Sequence, residues 1–382
     1  MARNVHDPTR TLRPSWLTVR VYDHDDRWEP FSMYSERFTK LTPYVPGEQP
    51  QDRSYIKLNT NENPYAPAPG VAEVLQAYDA ETLRRYPDPN AEALCHLIAD
   101  THGLKREQVM VGNGSDEILS FVFFAFFDSA RGPLLFPEHT YSFYPVYCDY
   151  YNIAYKKVPL NEDYSINIDG YVREKSCGLI IPNPNAPTGI LLSLDSVTSL
   201  MERWPEDRVV VVDEAYVDFG GESAVSLIDR FPNLLVVRTF SKSYSLAGSR
   251  LGWAMGHADL IQALYAVKDS FNSYPVDTVT QKVGMAAMAD RAWFDQTRGR
   301  VMVERERVSK ALTALGWRVL PSAANFVFAG APALDGKAVY EGLKAKGVLV
   351  RFFNKEGLTP FVRITIGTAE ENTALLEAVA SL

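Results

Sequence analysis

Along most of the chain, short segments built almost entirely from Val, Ile and Leu alternate with longer segments that mix apolar and polar residues at helical spacing. The short segments, such as "QVMV", "LIIP", "VVVV" and "LLVV", have the length and β-branched content of strands buried on both faces. The longer segments, such as "SDEILSFVFFAFF", predict helices between them. This alternation predicts an α/β fold with a parallel sheet covered on both faces, which binds ligands at the carboxyl ends of its strands.

Length and composition indicate how the chain is divided. A chain of 382 residues with 46% apolar and 23% charged residues fits one large domain and one smaller domain. The first thirty residues are charged, contain prolines and show no sustained period. We predict a flexible extension at 1–30, an arm and part of the small domain at 31–80, the large domain at 81–280 and the rest of the small domain at 281–382.

Charge and cysteine content exclude several functions. The net charge of −8 leaves no basic surface for nucleic acid. Cys95, Cys148 and Cys177 are widely spaced and odd in number, which predicts reduced thiols in a cytoplasmic protein and no metal site. The most apolar run, residues 121–127, is too short to cross a membrane, and the polar start of the chain predicts no signal peptide. The acidic run at 23–26 is interpreted as a solvated tail, because nothing near it completes a coordination shell.

The residues that follow the predicted strands share a related chemistry. In "GNGSDE", glycines precede Ser115 and Asp116 at the start of a helix, an arrangement that offers backbone N–H groups to a phosphate but also serves as an ordinary turn. Neither a nucleotide P-loop nor a dinucleotide glycine motif is present in the sequence. Asp213 ends the strand "VVVV", and Tyr216 follows in the next turn. An acid at that place either binds a ligand or caps the turn.

Lys242 follows the strand "LLVVRTF", with Ser241 and Ser243 beside it and Arg250 further on. A lysine is usually solvated, but a partly desolvated amine at the mouth of a parallel sheet can condense with an aldehyde. The loop "NPNAPTG" at 183–189 adds amide groups at another strand end. Amine, acid, phenol, amides and a phosphate-binding helix terminus match the groups of one small molecule, pyridoxal 5′-phosphate, which is the predicted cofactor.

Several segments occur together in the order found in one enzyme family: "LNTNENPYAPAP", "RYPDPN", "GNGSDE", "NPNAPTG", "DEAYVDF", "TFSKSYSLAGSRLGW", "SAANFVFA" and "VRITIGT". From about Leu41 to its end, the chain resembles the fold-type I aminotransferases, and within them the histidinol-phosphate branch. The resemblance implies a fold-type I α/β architecture. This has a large domain with a mostly parallel seven-stranded sheet between helices, and a smaller α/β C-terminal domain.

The same resemblance implies a role for each matching residue of the cofactor site. Lys242 corresponds to the lysine that binds the cofactor and acts as general base, Asp213 to the acid that pairs with the ring nitrogen, and Tyr216 to the phenol that faces the ring hydroxyl. The residues around the cofactor phosphate are Ser115, Asp116 (through its backbone), Ser241 and Arg250.

Three further positions complete the implied site. Tyr141 stacks on the cofactor ring, and Tyr86 reaches the phosphate of a neighbouring subunit, which implies a homodimer with shared sites. The family loop reads N-P-N-N-P-T-G, whereas Ala186 stands at its fourth position here. Either Asn185 supplies the ring contact or that contact is weakened.

On the substrate side, the resemblance implies Arg363 as the residue that binds an anionic group, with Arg351, Tyr65 and Asn325 as further pocket residues. The implied reaction transfers an amino group between histidinol phosphate or imidazole acetol phosphate and glutamate or 2-oxoglutarate, in histidine biosynthesis. Three alternatives share most motifs: an aminotransferase for aromatic amino acids, a phosphothreonine decarboxylase and a regulator that binds the cofactor without catalysis.

Overall fold

A larger seven-stranded sheet, a smaller four-stranded sheet and one pair of short parallel strands, Ile56–Lys57 with Val348–Leu349, form the β-structure of the computed structural model, which describes residues 35, 37, 38, 41–44 and 47–382. In chain order, the strands and α-helices are β1 (Ile56–Lys57), α1 (Pro69–Gln76), α2 (Glu92–His102), β2 (Val109–Gly112), α3 (Gly114–Phe126), β3 (Leu134–Pro137), α4 (Phe143–Tyr151), β4 (Tyr155–Val158), α5 (Ile168–Val172), β5 (Gly178–Pro182), α6 (Leu194–Arg203), β6 (Val210–Asp213), β7 (Leu234–Thr239), β8 (Gly252–Gly256), α7 (Ala258–Phe271), α8 (Thr278–Ala289), α9 (Arg291–Ala314), β9 (Arg318–Val319), β10 (Phe326–Gly330), α10 (Gly336–Ala345), β11 (Val348–Leu349), β12 (Arg351–Phe352), β13 (Val362–Thr365) and α11 (Ala369–Ala380).

The larger sheet has seven strands in the order β2-β8-β7-β6-β5-β3-β4. Strands β4, β3, β5, β6 and β7 run parallel, and β8 runs antiparallel to both β7 and β2. The predicted mostly parallel seven-stranded sheet is therefore confirmed. Because the carboxyl ends of β5, β6 and β7 lie side by side, the residues that follow these strands meet at one edge.

Both faces of this sheet are buried, as the continuous apolar strands predict. Val210 and Val212 pack on one side with residues of α2, α6 and α8, while Val211 packs on the other side with residues of α3, α4 and α7. Only β4, at the sheet edge, exposes most of its residues. Two of them, Lys156 and Lys157, place charge along that edge, a composition that discourages pairing with another strand.

The smaller sheet is antiparallel, in the order β12-β13-β10-β9, and packs with α9, α10 and α11 around a core of its own. Helix α11 begins at a capping box: the Thr368 hydroxyl accepts from the Glu371 backbone N–H, and the Glu371 carboxylate accepts from that of Thr368. This cap anchors the chain shortly after β13, the strand that carries Arg363.

Residues 42–382 form one compact unit. The predicted extension at 1–30 lies outside the described residues, and the boundaries between 31–80, 81–280 and 281–382 stay predictions. In the part of the chain that the structure describes, no helix is long and apolar enough to span a membrane.

Candidate active site

A cavity opens at the carboxyl ends of β5, β6 and β7, where the sequence places its candidate residues. It is lined by eight of them: Ser115, Asp116, Tyr141, Asp213, Tyr216, Ser241, Lys242 and Arg250. Residues separated by well over a hundred positions thus share one wall, because parallel strands bring their ends together. Eight of the ten residues that the sequence analysis assigned to cofactor binding therefore meet at one place, and Asn185 and Tyr86 are the two that do not line it.

The side of the cavity nearest α3 is built for close backbone approach. Gly114 has φ of +79°, and a Cβ there would lie 2.8 Å from the Arg250 guanidinium. A Cβ on Gly252 would lie 2.4 Å from the backbone nitrogen of Ser115. Glycines are therefore required for Arg250 and the N-terminus of α3 to come together, and this pairing of a cation with free N–H groups suits a phosphate.

Asp116 organises this side through its carboxylate as well as its backbone. One carboxylate oxygen accepts a hydrogen bond of 2.9 Å from the Tyr141 hydroxyl, and the other accepts from Arg250 at 3.0 Å. Ser241, which also lines the cavity, is buried, and its hydroxyl accepts from Thr239 at 3.0 Å. Asp116 thus holds the ring of Tyr141 and the guanidinium of Arg250 in fixed positions.

Asp213 is a buried acid whose contacts are both neutral. Its Oδ2 accepts from the hydroxyl of Tyr144 at 2.8 Å, and its Oδ1 accepts from the backbone N–H of Ala215 at 3.2 Å. Burial raises the pKa of Asp213 from 3.8 to about 6, although the Tyr144 hydrogen bond opposes this rise. The bond to Ala215 is the turn cap that the sequence allowed, but the acid also faces the cavity. An acid in this setting gains from a cationic partner.

Lys242 and Tyr216 face each other across the cavity. The Lys242 ammonium lies 5.8 Å from the centre of the Tyr216 ring and donates to the backbone oxygen of Thr60 at 3.4 Å. The Tyr216 hydroxyl accepts from the side-chain amide of Asn61 at 3.0 Å, and its ring meets Phe326 edge-on at 5.1 Å. The lysine is half-buried, the partly desolvated setting that a reactive amine needs.

The loop after β5 presents Ala186 to the cavity, whereas Asn185 lies behind the cavity wall. The Asn185 amide nitrogen donates to the backbone oxygen of His139 and to the hydroxyl of Thr188. Its Oδ1 is buried and has no hydrogen-bond partner among the described residues. The side chain is therefore held by protein groups on one end and unsatisfied on the other.

A second cavity adjoins the first and shares five lining residues with it: Thr60, Tyr141, Ala186, Tyr216 and Lys242. Arg351 and Arg363 line it, and they are directly opposite each other on β12 and β13. The guanidinium of Arg363 lies 5.3 Å from the Phe326 ring and 5.4 Å from the Phe353 ring, and it donates to the Asn59 backbone oxygen at 3.1 Å. Burial lowers the pKa of Arg363. Two like charges opposite each other repel, and an anion between them removes this cost.

Three predicted residues lie away from these two cavities. Tyr65 packs under Arg300, whose guanidinium lies 5.5 Å from its ring, and Asn325 is fully buried and donates to the backbone oxygen of Asn61. Tyr86 is 81% exposed and stacks on Tyr274 at 4.7 Å. None of the three lines the two cavities within its own chain.

Sequence reasoning missed Tyr144 and Asn61, which contact Asp213 and Tyr216 directly. Tyr144 lies in the stretch "PEHTYSFY" at 137–144, which also contains Tyr141, and Asn61 lies in the family motif "LNTNENPYAPAP". An asparagine-rich extended segment at the start of a family motif was the available signal for the second residue. Nothing in the local pattern singles out the first.

Comparison with known proteins places this geometry in a family. The model of the aminotransferase class I and II family matches residues 53–379. Relatives named histidinol-phosphate aminotransferase come from Syntrophus aciditrophicus, 55% identical over 92% of this chain and 98% of the relative, and from Chromohalobacter salexigens, 52% identical over 91% and 98%. The solved histidinol-phosphate aminotransferase of Sinorhizobium meliloti in complex with pyridoxal-5′-phosphate superposes with a TM-score of 0.83 at 25% identity, over 92% of this chain and 99% of that one. The predicted fold and the predicted resemblance are confirmed, and the chain belongs to the aminotransferase class I and II family.

Proposed function

We propose that the protein is a pyridoxal-phosphate-dependent aminotransferase that exchanges an amino group between histidinol phosphate and 2-oxoglutarate. The observation that carries this proposal is the convergence of Lys242, Asp213 and Tyr216 on one cavity, beside a second cavity with two arginines. The names of the relatives, at 50–55% identity over nine-tenths of the chain, support the same reaction.

The residues present fit the cofactor. Asp213 is buried with only neutral donors, so a protonated ring nitrogen would supply the charge it lacks. Arg250, Ser115, Ser241 and the N-terminus of α3 would hold a phosphate, and the ring of Tyr141 would lie against the cofactor ring. When bound, the cofactor supplies an aldehyde that takes the amino group and a ring that withdraws electrons from the reacting carbon.

The chain's own residues perform the proton chemistry. Lys242 would hold the cofactor through its amine, and the same amine, once free, is the base placed to take the proton from the substrate Cα. The Thr60 backbone oxygen accepts from the Lys242 ammonium. This hydrogen bond keeps the Lys242 side chain at the cavity in which both half-reactions would take place. Tyr216 and Asp213 would fix the ring between them.

The paired arginines account for substrate choice. A planar guanidinium binds carboxylate and phosphate in the same two-pronged way, so Arg363 serves both half-reactions. Arg351, directly across from it, would add the second contact that a phosphate monoester needs. The test is a comparison of kcat/KM for histidinol phosphate and for phenylalanine. A ratio near or below one would favour an aromatic aminotransferase.

A homodimer completes the proposal. Tyr86 is 81% exposed and stacks on Tyr274, which is itself half-exposed. Phe271, three residues before Tyr274 in the sequence, is also strongly exposed. Exposed aromatic side chains of this size are typical of interfaces. We expect this face to contact a second copy, with Tyr86 entering the partner's phosphate site, and we expect the enzyme to work in the cytoplasm.

A further inference from the structure

Three asparagines at every second position contact three residues of the active site. We call residues 59–63 the asparagine segment. Its Asn59 backbone oxygen accepts from Arg363 at 3.1 Å, the Asn61 amide donates to the Tyr216 hydroxyl at 3.0 Å, and the Asn63 amide donates to the Lys242 backbone oxygen at 3.0 Å. One short stretch thus touches a strand of the smaller sheet and two strand ends of the larger sheet.

Asn61 is fixed at the centre of this segment. It is 1% exposed and adopts φ of +56°, a left-handed conformation that asparagine tolerates. Its backbone N–H donates to the Thr365 hydroxyl at 3.0 Å, and its backbone oxygen accepts from Asn325 at 3.0 Å. The Thr365 hydroxyl then donates to Asn61 Oδ1 at 3.1 Å. With Oδ1 at the Thr365 hydroxyl, the NH₂ end of the same amide faces Tyr216.

The direction of this bond determines where the Tyr216 proton points. A phenol oxygen that accepts from Asn61 has its own O–H free to donate elsewhere, and the remaining open side is the cavity. The accepted bond also strengthens the phenol as a donor, since hydrogen bonds in series polarise one another. We infer that Asn61 is a positioning residue that aims the Tyr216 proton at the ring oxygen of the cofactor. This inference rests on the proposed function of Tyr216.

The test measures the bound cofactor rather than turnover. A donor to the ring oxygen stabilises its deprotonated form, so it lowers the pH midpoint at which the visible absorbance of bound pyridoxal phosphate changes. Asn61→Gly keeps the left-handed backbone and removes the donor, and it should raise this midpoint by about half a pH unit or more. Asn61→Ala should raise the midpoint equally, although alanine at positive φ lowers stability more than glycine. If the role of Asn61 were purely structural, the midpoint would shift more in the less stable Asn61→Ala variant than in Asn61→Gly.

Two comparisons complete the design. In a Tyr216→Phe background, Asn61→Gly should add no further shift, because the phenol through which it acts is gone. Asn152→Gly is the matched control, since Asn152 has the same φ of +56° at the exposed end of α4. An unchanged midpoint in both Asn61 variants, or an equal shift in the Tyr216→Phe background, would overturn the inference while leaving the proposed function standing. Failure of the wild-type protein to bind pyridoxal phosphate would overturn both.

Discussion

Replacing Asp213 by asparagine should damage catalysis and stabilise the empty protein at the same time. The carboxylate is 5% exposed, and burial raises its pKa from 3.8 to about 6. A shift of this size corresponds to about 3 kcal/mol of destabilisation at pH 8, where the folded protein must hold a buried charge that the unfolded chain solvates freely. Asparagine has nearly the same shape, keeps an acceptor for Tyr144 and carries no charge. Its NH₂ end cannot accept from the Ala215 backbone N–H, and the loss of that hydrogen bond reduces the gain by about 1 kcal/mol.

The catalytic loss follows from the missing charge. An ion pair at hydrogen-bond distance in a site of effective dielectric ~20 is worth about 5 kcal/mol, and each 1.4 kcal/mol is tenfold in rate, so kcat should fall by about 10³–10⁴. The assay is the half-reaction with glutamate, followed by the absorbance of the bound cofactor.

The stability gain has a defined pH dependence. Because the folded pKa is raised, the wild-type penalty is complete above pH 6 and disappears as the pH falls toward 3.8, so Asp213→Asn should gain most at pH 8 and little near pH 4. Urea unfolding of the cofactor-free proteins measures this difference. A variant with near-wild-type turnover would show that Asp213 serves as a turn cap alone, and an empty variant less stable than the wild type at pH 8 would refute the stability argument.

Three other substitutions test the remaining parts of the site. Lys242→Ala should abolish transamination, and borohydride reduction of the wild-type holoenzyme followed by peptide mapping should label Lys242 and no other lysine. Arg363→Ala should weaken both half-reactions by about 2–5 kcal/mol in kcat/KM, because it leaves a desolvated anion unpaired, whereas Arg351→Ala should reduce kcat/KM for histidinol phosphate more than for phenylalanine. Sedimentation should show that the wild-type protein is a dimer. The Tyr86→Ala variant should bind pyridoxal phosphate more weakly than the wild type. An active monomer would contradict the shared site.

The parts of the site that sequence analysis could predict are those determined by strand topology. Asp213 ends β6 and Lys242 follows the end of β7, and a parallel sheet brings such ends to one edge whatever the rest of the chain does. Arg250 and the glycines before α3 are likewise local signals. The order of the strands along the chain is enough to predict that these residues lie close together.

The contacts that sequence analysis missed depend on packing between distant elements. Tyr144 meets Asp213 only because α4 packs against the sheet, and its position in a run of aromatic residues gives no hint which ring points inward. Tyr65 and Asn325, which the family pattern marks as pocket residues, are not among the residues that line the two cavities in this chain, and their roles stay predictions. Motif membership places a residue near a site, but side-chain direction comes from the surrounding fold.

The cross-strand pairing of Arg351 with Arg363 makes anion recognition sensitive to chain length. Side chains alternate between faces along a strand, so inserting or deleting one residue in the connection at 353–361 would turn Arg351 to the opposite face if the strands re-paired. The pocket would then lose one of its two cations with every original residue still present. Divergence toward a substrate with a single anionic group could therefore begin in a connection that carries neither arginine, through an indel rather than a substitution.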